Sequence, residues 1–158
     1  IGLHTATHQW YNYESVDSYF NDLNIVRDRV KRVTGLDAKF IRFPGGSGNT
    51  ISKKYNRGIM TTLTQEVQNR GYVYFDWNEA VEDAGACARR GISDRTNCVY
   101  GYFIRGLSKN KINLVLLHDV KSYTANALEE MINYALANGY TFKNIDEATI
   151  PIHQGVAN

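Results

Sequence analysis

Hydrophobic positions along the chain follow two rhythms. Tyr19, Leu23, Val26, Val30 and Val33 recur at intervals of three and four, the spacing that lines one face of a helix. Ser15 can cap that helix and Gly35 can end it. AKFIRF (38–43) then reads as a strand, followed by the turn PGGSGN (44–49). The pattern predicts a helix from about Met60 to Arg70 that stops at Gly71, with YVYFDW (72–77) as the next strand. Beyond a polar loop, Val99, Phe103 and Leu107 mark a short helix. KINLVLLHD (111–119) has the apolar run of a buried parallel strand. Thr124 is expected to cap a last long helix carrying Leu128, Met131, Ile132, Ala135 and Leu136 on one face, ended by Gly139. YTFKNID (140–146) reads as a final short strand, and the tail from Pro151 as loose.

Alternation of strand and helix predicts an α/β fold, with parallel strands and outer helices, open or closed into a barrel. In such folds chemistry collects at the carboxyl ends of the strands. The polar residues there are His4 and His8, Arg42, Asp76 with Asn78, and His118 with Asp119. These groups are expected to share one rim.

Composition narrows the classes. At 158 residues one domain spanning 1–158 is expected. Hydrophobic content of 43% with 22% charged residues suits a globular protein rather than a disordered one. A net charge of +2 argues against nucleic acid as a partner. The run Leu114–Leu117, broken by Asn113 and His118, is far too short for a membrane span. The first residues show no basic signal-like stretch and no initiator methionine, so a processed or partial chain is expected. Eleven tyrosines suit a sugar-facing rim and half-buried packing equally. Cys87 and Cys98 do not have the spacing of a Cys-x-x-Cys motif. A short disulfide loop and two free thiols both remain open.

Taken in order, HTATH, RFPGG, FDWN and LLHD resemble the second to fifth motifs of the polysaccharide deacetylases (carbohydrate esterase family 4, the NodB-homology domain). The PGGSGNT stretch and the closing HQGVAN resemble the secreted peptidoglycan-type enzymes of Gram-positive bacteria. The resemblance implies a distorted (β/α) barrel and metal-dependent removal of acetyl groups from a cell-wall polysaccharide. Peptidoglycan N-acetylglucosamine is the expected substrate, with chitin or xylan as alternatives. It further implies an extracellular or cell-envelope location, secreted or membrane-anchored.

The resemblance also implies roles. His4 and His8 match the metal-binding histidines, and zinc is the expected ion, with cobalt, nickel or manganese possible. His118 matches the general acid that protonates the departing amine. Leu116 corresponds to the wall of the acetyl-methyl pocket, and Trp77 is a second candidate wall. Arg42 matches the arginine that orients the catalytic carboxylate. Gly45 stands where the family usually has tyrosine, whose backbone N–H is an oxyanion donor. FDWNEAVEDA departs from the fourth motif, with Asp76, Asn78 and Asp83 available; Asp76 is the expected partner of His118.

The family's aspartate base and third metal ligand come from an earlier TFDDG-like motif, which this sequence lacks. The chain therefore resembles the carboxyl-terminal part of a deacetylase, with a missing amino-terminal segment as a partner. Alone it is expected to be a poor catalyst. The rival classes are a non-catalytic domain of this type that binds cell-wall glycan, and an unrelated metal hydrolase on a parallel sheet.

Overall fold

The computed structural model describes residues 1–158. The chain forms two compact units, one of Ile1–Asp76 with Pro151–Asn158 and one of Trp77–Ile150. No helix is long and apolar enough to cross a membrane.

In the first unit, helix α1 (Val16–Thr34) begins where the Ser15 side chain accepts the N–H of Ser18, and ends at Gly35 (φ 75°). Glycine takes that left-handed conformation without a Cβ clash, so its N–H can close on the Lys31 carbonyl. The buried face of α1 is Tyr19, Phe20, Asp22 and Leu23, while Val33 at the far end stays exposed. Strand β1 (Phe40–Ile41) pairs in parallel with β2 (Val73–Tyr74), matching Phe40 to Val73 and Ile41 to Tyr74. Leu3 bridges to Ile41 on the other side, also in parallel. Between the two strands runs α2 (Ile59–Asn69), which buries Ile59, Met60, Leu63 and Val67. Burying a side chain of that size contributes about 1.5–3 kcal/mol.

The tail is not loose. Ile152 accepts the N–H of Asp76 at 2.8 Å, and the His153 ring stacks on Tyr74 at 3.8 Å. Asn158 then serves the amino end of α2, where Gly58 has no side chain to cap with. Its side-chain oxygen accepts the Gly58 N–H at 2.8 Å and its carbonyl the Thr61 N–H at 2.7 Å.

The second unit pairs β3 (Glu79–Ala80) with β4 (Val115–Leu116), again in parallel. Helix α3 (Arg95–Gly106) is capped by Asp94, whose side chain accepts the Asn97 N–H. Helix α4 (Ser122–Ala137) packs beside it. Val81, Val99, Phe103, Ala127, Met131 and Ala135 form the core. The disulfide Cys87–Cys98 joins the loop after β3 to α3, which resolves the question the spacing left open.

Three expectations are corrected in this unit. Thr124 lies inside the first turn of α4 rather than at its cap, which is Lys121. Leu128 and Leu136 are exposed, because the buried stripe of α4 runs through Thr124, Ala127, Met131 and Ala135. Residues 140–146 form no strand, for no ladder partner meets them.

Candidate active site

The HTATH segment is wound tightly. Thr5 (φ 61°) and His8 (φ 55°) both adopt the left-handed conformation, which costs a residue with a Cβ about 1–3 kcal/mol. Such a loop persists only if its surroundings hold it. Asp22, reaching from α1, does so by accepting the N–H of Ala6 at 2.8 Å, the N–H of Thr7 at 3.1 Å and the Thr7 hydroxyl at 2.9 Å. Burial pushes the Asp22 carboxyl up, but the bonds from Thr7 and Ala6 outweigh it and hold the group below its ordinary value.

The winding brings the His4 and His8 rings edge to face, with centroids 4.9 Å apart. His4 Nδ1 lies 2.7 Å from the Arg42 carbonyl oxygen. A carbonyl can only accept, so Nδ1 carries a proton. In the neutral ring this tautomer leaves the Nε2 lone pair for a transition ion, with the ring oriented by the carbonyl. The pair suits a metal as two of its ligands; no group of three His, Cys, Asp or Glu side chains is assembled to hold one.

Arg42 directs Nε toward the Phe75 carbonyl and Nη2 toward that of Asp76, each at 3.4 Å. Burial pulls its pKa down, and the nearby Asp76 charge opposes the shift. The Asp76 carboxylate is fully buried. It accepts the Ser47 N–H at 2.8 Å, the Ser47 hydroxyl at 2.5 Å and the Gln154 N–H at 2.8 Å. Asp76 thus ties the PGGSG turn to the tail. Gly45 (φ 76°) lies in that turn, and the buried Tyr13 donates its hydroxyl to the carbonyl of the preceding Pro44 at 2.8 Å.

In the second unit, Asp83 holds His118. Its buried carboxylate accepts the His118 ring Nδ1 at 2.8 Å, the His118 backbone N–H at 2.7 Å and the Thr124 hydroxyl at 2.9 Å. Tyr123 donates to the Asp83 carbonyl. A carboxylate on Nδ1 fixes the ring and leaves Nε2 for chemistry. The expected His118–Asp76 pairing is corrected: Asp76 is spent on Ser47 and Gln154. Leu116 lies in β4 opposite Ala80, half-buried, and Trp77 is half-buried at the start of the unit. Asn78 grips Leu114 and Ile112 of the facing segment instead of reaching a histidine.

Sequence reasoning named Asp83 but preferred Asp76, because it treated 72–77 as the single strand before the cysteine loop. A second strand follows at Glu79–Ala80, and Asp83 sits just past its carboxyl end. The strand-end rule, applied to NEAV, would have found it. Asp22 left no comparable signal, being a polar position within an amphipathic helix.

No protein-family model matches the chain. The crystal structure of the catalytic domain of a peptidoglycan N-acetylglucosamine deacetylase from Eubacterium rectale aligns with a TM-score of 0.92 at 40% identity, over 99% of this chain and 70% of that one. The chain belongs to the polysaccharide deacetylases of carbohydrate esterase family 4. Among curated polysaccharide deacetylases of Bacillus subtilis, YheN is 24% identical over 155 residues, or 98% of this chain and 51% of its own length. The peptidoglycan-N-acetylmuramic acid deacetylase PdaA, from the same organism, is 27% identical over 148 residues, or 93% and 50%. The chain spans about half the length of the curated relatives it matches. The fold of the polysaccharide deacetylases is a distorted (β/α) barrel, and the parallel strand pairs and helices of each unit are α/β elements of that kind.

Proposed function

We propose that this chain carries the histidine machinery of a metal-dependent hydrolase that removes acetyl groups from a cell-wall polysaccharide, with the N-acetylglucosamine of peptidoglycan as substrate. The observation that carries the reading is His118 with its Nδ1 on a buried carboxylate 2.8 Å away. The Eubacterium relative, a peptidoglycan N-acetylglucosamine deacetylase at 40% identity, supports the choice of sugar.

In this reading His4 and His8 hold the metal, zinc by the chemistry of neutral imidazoles. Lewis acidity toward the acetamide carbonyl is what the metal would supply. The Gly45 N–H donates to the oxygen as negative charge develops on it. Water, its proton taken by the carboxylate base, adds to the acetyl carbon. His118, held by Asp83, gives a proton from Nε2 to the nitrogen as the C–N bond breaks, so that a free amine and acetate leave. Arg42 orients the carboxylate base, while Leu116 and Trp77 wall the acetyl group. That base is an aspartate of a motif these 158 residues do not contain. The reading assigns it to another segment of the full-length protein. The disulfide supports an oxidising compartment, the cell envelope or beyond.

Acetate release from N-acetylglucosamine oligomers by the full-length protein tests the proposal. Activity should vanish on chelation and return with zinc. Saccharide binding without any acetate release under metal repletion would instead identify a glycan-binding domain.

A further inference from the structure

The loop that presents the histidines continues into a short 3-10 turn, Trp10–Glu14, and Trp10 is its first residue. Trp10 and Tyr13, three positions apart, lie on one side of such a turn. Their rings are 6.2 Å apart and tilted by 33°. Together they grip the PGGSG turn from outside: Tyr13 holds the Pro44 carbonyl, and the indole lies against the next residue. A Cβ placed on Gly45 would sit 2.8 Å from Trp10 Cη2 and 3.2 Å from Cζ3. No side chain fits at position 45 while the indole is where it is. On its other flank Trp10 is 6.2 Å from the His8 ring, edge to face. The ring is half-buried.

This is more than core packing. A tryptophan needed only as filler could sit anywhere along the apolar face of the unit. Here it stands beside the proposed metal ligands and over the turn whose N–H is the proposed oxyanion donor, with part of its surface open to solvent. The neighbouring positions His8, Gln9 and Tyr11 are exposed. A rigid, amphipathic ring at an open site suits the apolar C–H face of a pyranose, and it loses little conformational entropy on contact.

We propose that Trp10 is the sugar-binding platform beside the histidine pair, and that glycine at 45 admits it. The proposal rests on the deacetylase reading for the identity of the sugar. Trp10 acts on substrate binding and takes no part in proton transfer.

The test is steady-state kinetics of W10A and W10F in the full-length protein on the N-acetylglucosamine tetramer, together with tryptophan emission. W10A should raise KM about ten-fold, the scale of one aromatic contact, with kcat kept within about three-fold. W10F keeps an aromatic ring and should raise KM less. The tetramer should change the emission of the wild type, and W10F should lose the part of that change due to Trp10, leaving only that of Trp77. An unchanged KM, or a fall in kcat with KM held, overturns the proposal and leaves Trp10 as a brace for the turn. If W10A does not fold, W10F decides by KM and by emission. A tetramer-dependent emission change without acetate release in the wild type keeps the platform and sinks the deacetylase reading. Acetate release with no KM effect does the reverse.

Discussion

The two units present histidines on different supports. In the first, Asp22 grips the backbone of the HTATH loop, while His4 Nδ1 meets a backbone carbonyl. In the second, Asp83 binds both the backbone and the ring of His118. A carbonyl on Nδ1 orients the His4 ring with Nε2 outward, which suits the metal ligand proposed for it. A carboxylate that binds ring and backbone together anchors His118 at two points, which suits the proton donor proposed for it. Under the proposed reading, the same side chain serves two kinds of chemistry on two kinds of support.

The largest expected effect tests the proton-carrying side. H118A in the full-length protein should lower kcat by about 10²–10⁴-fold while metal content, measured by plasma emission, stays at the wild-type level. Parallel loss of metal would erase the distinction between the two supports. D83N comes next, with kcat down about 10²-fold, since an amide keeps one acceptor oxygen for the ring nitrogen, backbone N–H and Thr124 hydroxyl that the carboxylate serves. Wild-type turnover in D83N would show that Asp83 does not position the ring.

The stability of the two supports can be compared as well. C87S/C98S removes a link closing a sequence separation of 11. It should cost about 2–3 kcal/mol in chemical denaturation. D22N should cost about 1–2 kcal/mol, by stripping charged acceptance from part-buried donors. Because folding holds the Asp22 carboxyl below its ordinary value of 3.8, its contribution is complete above that value and is lost as pH falls through the folded pKa. The gap between D22N and wild type should therefore be full at neutral pH and close in acid. A gap independent of pH would mean that shape rather than charge is what Asp22 supplies.

How much of this the sequence disclosed depends on the range of each interaction. Helix α1 was legible because its apolar stripe, Ser15 and Gly35 all lie within one stretch of chain. Residues 140–146 show why a local pattern falls short, since a strand exists only where a neighbour meets it. Asp76 and Asp83 are both acidic residues near strand ends, and nothing local tells them apart. Their partners are 29 to 78 residues away for Asp76 and 35 to 41 for Asp83. Thr124 looked like a cap because threonine often is one; the demand of a distant carboxylate decided its use.

The return of residues 151–158 to the first unit bears on the order in which the protein can be made. On the ribosome, everything up to Asp76 emerges early, yet the Gln154 N–H that meets its carboxylate arrives some 78 residues later. Until then the amino end of α2 also lacks Asn158. The first unit is thus the earlier to be synthesised and the later to be completed, since the whole of the second unit is made before residues 151–158 arrive.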